Sequence, residues 1–438
     1  MSTARRWGRR EAVAGGLAGL AALVVGRRLL GCSKSSSNAR DGGEGPMDAA
    51  ADATDAQPRD SASMMPDAAM AETPFTPNEM PAGPMLRSRI AEIGPLGEPD
   101  SNGVRLPAGF RSSVVARSGE PVPGTDLVWH VAPDGGACFP TMDGGWIYVS
   151  NSEIPRIGRI SGGVGAIRFD ASGRIVSAAR ILDGTSFNCA GGMTPWGSWL
   201  SCEEFERGRV FECDPWGVQR PQVRAALGVF QHEAVAVDPM RGHLYMTEDE
   251  SDGCFYRFTP SRALPDLREG TLEVASVADD GSVRWHRIAD PGFTGSTPVR
   301  WQVEEATAFD GGEGIWWHDD VVYFTTKGDH RVWAYDCASQ RIRVLYDGRG
   351  ELRGVDNVTV SCCGDVLVAE DGGDMQIVAV LPDGSLRVLL QIVGQDRSEI
   401  TGPAFDPSGT RLYFSSQRGG PRNEGITYVV EGPFHERV

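Results

Sequence analysis

From Arg105 to the C-terminus the apolar positions fall in short β-type runs broken by Gly, Asp and Pro, with no sustained helical periodicity. One run recurs: an apolar strand, then Ser or Thr, then a carboxylate or amide. Its copies are Trp146-Ile147-Tyr148-Val149-Ser150-Asn151-Ser152-Glu153, Trp199-Leu200-Ser201-Cys202-Glu203-Glu204 and Leu244-Tyr245-Met246-Thr247-Glu248-Asp249. They continue as Val322-Tyr323-Phe324-Thr325-Thr326-Lys327-Gly328-Asp329, Val366-Leu367-Val368-Ala369-Glu370-Asp371 and Leu412-Tyr413-Phe414-Ser415-Ser416-Gln417. The copies lie about 45 to 80 residues apart, the period expected of propeller blades. A polar pair leading into an apolar run and a turn precedes several copies by about a dozen residues, which predicts a hairpin. Examples are His232-Glu233-Ala234, Gly312-Glu313-Gly314, Asp356-Asn357 and Glu399. Each repeat has roughly 55 residues, enough for four strands. The expected fold is all-β, a six-bladed β-propeller over residues 85–438.

In a propeller the inner ends of the blades converge on one axis. Here those ends are loaded with Glu, Asp, Asn and Gln. Carboxylates crowded into a desolvated channel raise one another's pKa, so they take up protons or bind cations. A cluster of oxygen ligands this large favours hard multivalent cations. Glu153, Glu203, Glu204, Glu233, Glu248, Asp249, Glu313, Asp356, Asn357, Glu370, Asp371 and Glu399 are the candidates. Cys189, in the turn-forming stretch Asn188-Cys189-Ala190-Gly191-Gly192, adds a thiol just upstream of Glu203-Glu204. A thiolate among carboxylates needs a metal to compensate its charge, and its softness points to a transition metal such as iron.

The net charge of −17 excludes nucleic acid and anionic membrane as partners and favours cations and small ligands. Nearly all the basic residues are Arg; the only lysines are Lys34 and Lys327. Residues 1–32 read as an export signal. Arg5, Arg6, Arg9 and Arg10 precede an apolar stretch, Ala12–Val25, that is short for a membrane span, and Leu29-Leu30-Gly31-Cys32 resembles a lipobox. The paired arginines resemble a twin-arginine signal, used by proteins exported already folded. Residues 33–84 are low-complexity Ala, Asp, Ser, Met and Pro, expected to be a flexible linker. The protein is thus expected outside the cytoplasm, periplasmic or extracellular, as a monomer held to a membrane only through a lipid on Cys32. The cysteines beyond Cys32 show neither a disulfide framework nor a zinc CxxC pair.

Several segments together resemble the PhoX-type alkaline phosphatase family. They are Asn188-Cys189-Ala190-Gly191-Gly192, Trp199 to Glu204, Phe230-Gln231-His232-Glu233-Ala234, Tyr245 to Asp249, Gly312-Glu313-Gly314, Val355-Asp356-Asn357, Ala369 to Gly373, and Glu399 to Gln417. The motifs occur in the family's order and span residues 105–434. The resemblance implies a six-bladed propeller that hydrolyses small phosphomonoesters at an axial cluster of ferric iron and calcium, after twin-arginine export. Cys189 would be the iron thiolate, with Glu204, Glu233 and Glu313 the carboxylates around the irons. Glu153, Glu248, Asp249, Asn357, Glu370, Asp371 and Glu399 would be calcium or supporting positions. One departure concerns substrate. The family carries Arg-Pro before the acid matching Glu313, where this chain has Gly311-Gly312. Lys327, or less directly Arg418, is the candidate replacement for that phosphate-binding cation. A calcium-dependent lactonase-like hydrolase and a non-catalytic cell-envelope binding propeller are the alternatives the same fold allows.

Overall fold

The computed structural model describes residues 72–438, within a unit spanning Asp67–Val438. The signal, Cys32 and the linker up to residue 71 lie outside the described residues. Six antiparallel sheets follow one another along the chain as blades. Blade 1 is Pro133–Pro140, Trp146–Ser152, Gly162–Phe169 and Ile175–Thr185. Blade 2 begins with Asn188–Met193 and Trp199–Glu203, blade 3 with His232–Asp238 and His243–Glu248, and blade 4 with Gly312–His318 and Val321–Thr326. Blades 5 and 6 begin with Val355–Val360 and Val366–Glu370, and with Ile400–Phe405 and Arg411–Ser416.

Both ends of the described chain close the ring. Arg111–Arg117 pairs with Ile426–Glu431 as the outermost strand of blade 6, and Val104–Pro107 extends blade 5 through Leu386–Ile392. A second clasp joins Leu86–Ser88 to His435–Arg437.

The packing confirms six blades. Each neighbouring pair of blades has its own buried apolar cluster, such as Tyr148 and Tyr413 between blades 6 and 1, or Phe255 and Phe324 between blades 3 and 4. Twisted sheets arranged radially bury both faces in this way, which is why the strands read as nearly continuous apolar runs.

The structure differs from the sequence expectation in two ways. Residues 72–84, expected as the end of a linker, lie against blades 2 and 3. Phe75 is buried among Leu200, Leu227 and Phe230, and the Thr73 and Thr76 amides donate to Gln222 and Gln219. One aromatic side chain with a ready pocket suffices to order a segment of otherwise low-complexity composition. The second difference concerns strand order. The recurring strand ending in Ser or Thr is the second strand of each blade, and the strand opened by the polar pair is innermost. The eight described cysteines are all free.

Candidate metal centre

Every innermost strand carries a β-bulge near its axial end. In blades 1 to 5 two residues oppose one on the second strand: Asp134-Gly135, Cys189-Ala190, Glu233-Ala234, Glu313-Gly314 and Asp356-Asn357. A bulge re-aims a side chain that regular pleating would send into a blade face. Here the first bulge residue is the acid or thiol. The second packs towards the next blade: a β-carbon on Gly314 would stand 2.4 Å from the Val358 nitrogen, and one on Gly135 2.5 Å from the Ala190 α-carbon. Blade 6 bulges at Gly402-Pro403 and contributes Glu399 from just before its strand, bridged to Asp371.

The second strands account for the repeated Ser and Thr. In blades 1, 3 and 4 the side chain opposite the bulge donates to the bulge carbonyl of the next blade. Thr247 donates to Glu313 O at 2.6 Å, Thr325 to Asp356 O, and Asn151 to Cys189 O at 3.0 Å. From the innermost strand of blade 6, Thr401 donates to Pro133 O of blade 1 at 2.7 Å. These bonds hold neighbouring bulges in register.

The paired acids at the second-strand ends divide into two roles. The first member turns away from the axis. Glu203 accepts the Ser186 and Arg209 amides, Glu370 the Arg353 and Gln376 amides, and Glu248 the Tyr256 hydroxyl at 2.6 Å and Arg300 at 3.1 Å. Burial pushes Glu248 and Glu370 up to about 7. The residue one step further along the chain lies at the axis: Glu153, Glu204, Asp249, Lys327, Asp371 or Gln417. The converging carboxylates and Cys189 form four groups whose ligand atoms lie within 4.8 Å of one another. They are Cys189–Glu204–Glu233, Glu233–Glu313–Asp356, Asp356–Asp371–Glu399 and Asp134–Glu153–Glu399. Glu233, Asp356 and Glu399 each belong to two groups, so the four are continuous. Asn357 stays outside them, donating to Asp356 at 2.8 Å and accepting the Gly402 amide at 2.8 Å.

Burial raises the pKa of Asp134, Glu204, Glu233, Glu313, Asp356 and Glu399, and neighbouring carboxylates add to it. The Cys189 thiol rises for the same reasons: burial first, then Asp134, Glu233 and Glu204. It donates to Glu233 Oε1 at 3.5 Å. Glu233 Oε2 is buried with no hydrogen-bond partner. An unpaired carboxylate oxygen in a desolvated acid cluster is costly unless a cation meets it, so the donor set fits metal ions.

Two cations reach the cluster. Lys327 Nζ lies 2.7 Å from Glu313, 3.6 Å from Asp371 and 3.8 Å from Asp356. Arg418 joins Glu153 at 2.7 Å and Glu399 at 2.9 Å. Gly311 has φ +70°, and its β-carbon would stand 3.6 Å from Lys327 Cβ. The left-handed backbone explains why glycine stands there and would strain an arginine.

Sequence reasoning missed Asp134 and Gln417. Asp134 had a signal, Pro133-Asp134-Gly135-Gly136 ahead of an apolar run, matching the polar pairs of the other blades. Gln417 donates to both Asp134 and Glu153, tying blade 6 to blade 1.

The fold and the site define a six-bladed propeller whose axial acids and thiol are arranged to take up cations. Residues 142–344 match the family described as alkaline phosphatase PhoX. That stretch of the chain is similar to the family. No curated protein matches it. Among solved structures, PhoX from Pseudomonas fluorescens, in complex with the transition-state analogue vanadate, shares the fold. It has a TM-score of 0.62 and 18% identity, over 80% of this chain and 98% of that one. A gluconolactonase from Xanthomonas campestris superimposes more loosely, with a TM-score of 0.46 and 15% identity over 78% of this chain and 98% of its own.

Proposed function

We propose that the protein is a metal-dependent phosphomonoesterase acting at an axial cluster of ferric iron and calcium. The observation that carries this reading is the meeting of Cys189 with Glu204 and Glu233 on the axis of a propeller similar to the PhoX family. The vanadate complex of the Pseudomonas protein supports a phosphoryl-transfer site in this fold. A mixed sulfur and carboxylate set suits iron, so Cys189, Glu204 and Glu233 would hold it, with Glu313 alongside. The all-oxygen groups Asp356–Asp371–Glu399 and Asp134–Glu153–Glu399 suit calcium. Bound there, the metals would supply Lewis-acid polarisation of the phosphoryl group and a nucleophilic oxygen at neutral pH.

The chain's own residues do the positioning. Asn151 holds the Cys189 bulge through the carbonyls of Cys189 and Ala190, and Gln231 donates to Glu204 at 3.3 Å. Arg418, partly open to solvent and fixed by two carboxylates, presents the cation we assign to the substrate phosphate. A calcium-only lactonase site has no use for the Cys189 thiol, and nothing favours a binding-only propeller.

The test is hydrolysis of a simple phosphomonoester by purified protein whose metals are measured on the same sample. Cys189→Ser should lower bound iron by about tenfold or more and leave calcium largely in place, since a hydroxyl is a poor substitute for a thiolate. Unchanged iron would remove the thiol from the site.

The same proposal places the enzyme outside the cytoplasm, exported by the arginine pairs and anchored through Cys32. Replacing Arg5, Arg6, Arg9 and Arg10 with Lys should trap unprocessed chain in the cytoplasm, because the receptor would read guanidinium groups and not charge alone. Normal processing of that variant, followed by cell fractionation, would leave only a general secretory signal.

A further inference from the structure

At one position of the repeat, where blade 6 has the neutral Gln417, blade 4 carries a positive charge. The residue following the second strand and its outward-turned neighbour is an acid in blades 1, 2, 3 and 5, namely Glu153, Glu204, Asp249 and Asp371; in blade 4 it is Lys327. Background composition does not account for this, because the chain's 42 basic residues are arginines apart from Lys34 and Lys327. Its Nζ stands among three carboxylates of blades 4 and 5: Glu313 at 2.7 Å, Asp371 at 3.6 Å and Asp356 at 3.8 Å. Those acids belong to two of the four groups, Glu233–Glu313–Asp356 and Asp356–Asp371–Glu399, so the ammonium lies where the two adjoin.

We propose that Lys327 is a built-in cation of the axial cluster, standing in for one divalent metal ion. The inference rests on reading the cluster as a metal centre. Exchanging a carboxylate for an ammonium removes one negative charge and adds one positive charge. The change of two equals the charge of one calcium ion, so the cluster keeps its balance with one ion fewer. Lysine suits this place better than arginine: its ammonium is a compact point charge with three rotatable donors, close to a small cation in shape, whereas guanidinium is a flat fork. It is also permanently tethered, so these two groups remain compensated when metal is scarce.

The experiment measures bound calcium in the full-length protein, stripped of metal, re-equilibrated with calcium and dialysed, for wild type, Lys327→Glu and Lys327→Met. Lys327→Glu restores the acid found in blades 1, 2, 3 and 5 and should bind one more calcium per chain than wild type. Lys327→Met keeps the length without the charge, a change of one charge instead of two and with no new ligand, so the calcium it takes up should be held more weakly than in Lys327→Glu and should titrate in only at higher free calcium. Both should melt lower than wild type in chelator and regain more on adding calcium. Variants that fold only with calcium support the proposal equally. A folded Lys327→Glu with the wild-type calcium count overturns it, as do variants that stay unfolded in calcium. A wild type without metal would defeat the metal-centre reading, yet a calcium gained by Lys327→Glu would still support Lys327 as a stand-in; variants as empty as that wild type overturn both.

Discussion

Chelating the loaded protein should lower its melting temperature by about 10 °C or more near pH 8 and by much less near pH 5. Each ion held well below its free concentration contributes about 3 kcal/mol to the folded state, and a chain of this size shifts by about 2 °C per kcal/mol. The pH dependence follows from the acids left behind. Asp134, Glu204, Glu233, Glu313, Asp356 and Glu399 are all raised, by burial first, with neighbouring carboxylates adding to it and Lys327 opposing it at Glu313 and Asp356. The folded, metal-free chain therefore holds protons that the unfolded chain releases in the ordinary carboxylate range. Unfolding frees those protons, so apo stability is highest below that range and is lost as pH rises through and above it. In the loaded protein, metal charge replaces the protons and removes the penalty. Thermal melts with and without chelator at the two pH values check this. A shift as large near pH 5 as near pH 8 would show that the acids do not act as a coupled cation site.

The six hairpins were legible because they repeat. An apolar run, a polar end and a turn, written six times, leave few architectures other than a ring of blades. Cys189, Glu204, Glu233 and Glu313 were legible through the family's motifs. Two things were hidden, each for a physical reason. Which way a side chain faces is a property of register, not of residue type, so nothing in Glu203-Glu204 or Glu370-Asp371 says that the first acid turns outward to cap amides while the second faces the axis. Asp134 was obscured by its own setting: Gly135 is needed for close approach to blade 2 and Gly136 for close approach to Val149 and Tyr148 of its own blade, and the pair makes the strand read as a turn. The segment around Phe75 shows the converse error, since composition averages over a window and misses one anchoring side chain.

Glu233→Gln should reduce kcat/KM on a phosphomonoester by about 10³ or more while the protein stays folded. Glu233 is the acid common to Cys189–Glu204–Glu233 and Glu233–Glu313–Asp356, so its loss disturbs both groups at once. Its Oε2 has no protein partner, so little in the fold depends on its charge. A neutral amide there also relieves repulsion from Glu204, Asp356 and Asp134. Metal-free Glu233→Gln should therefore melt at or above metal-free wild type near pH 8, and gain less from added metal. Glu370→Gln provides the contrast. Glu370 accepts the Arg353 and Gln376 amides with its two oxygens, and an amide side chain would turn a donor toward one of them. That variant should lose about 1–3 kcal/mol of stability and keep its metals and its kcat/KM within a few-fold. A Glu233→Gln protein that retains full metal and activity, or that melts lower than metal-free wild type while Glu370→Gln does not, would reverse the two roles assigned here to the acids at the axis and the acids turned away from it.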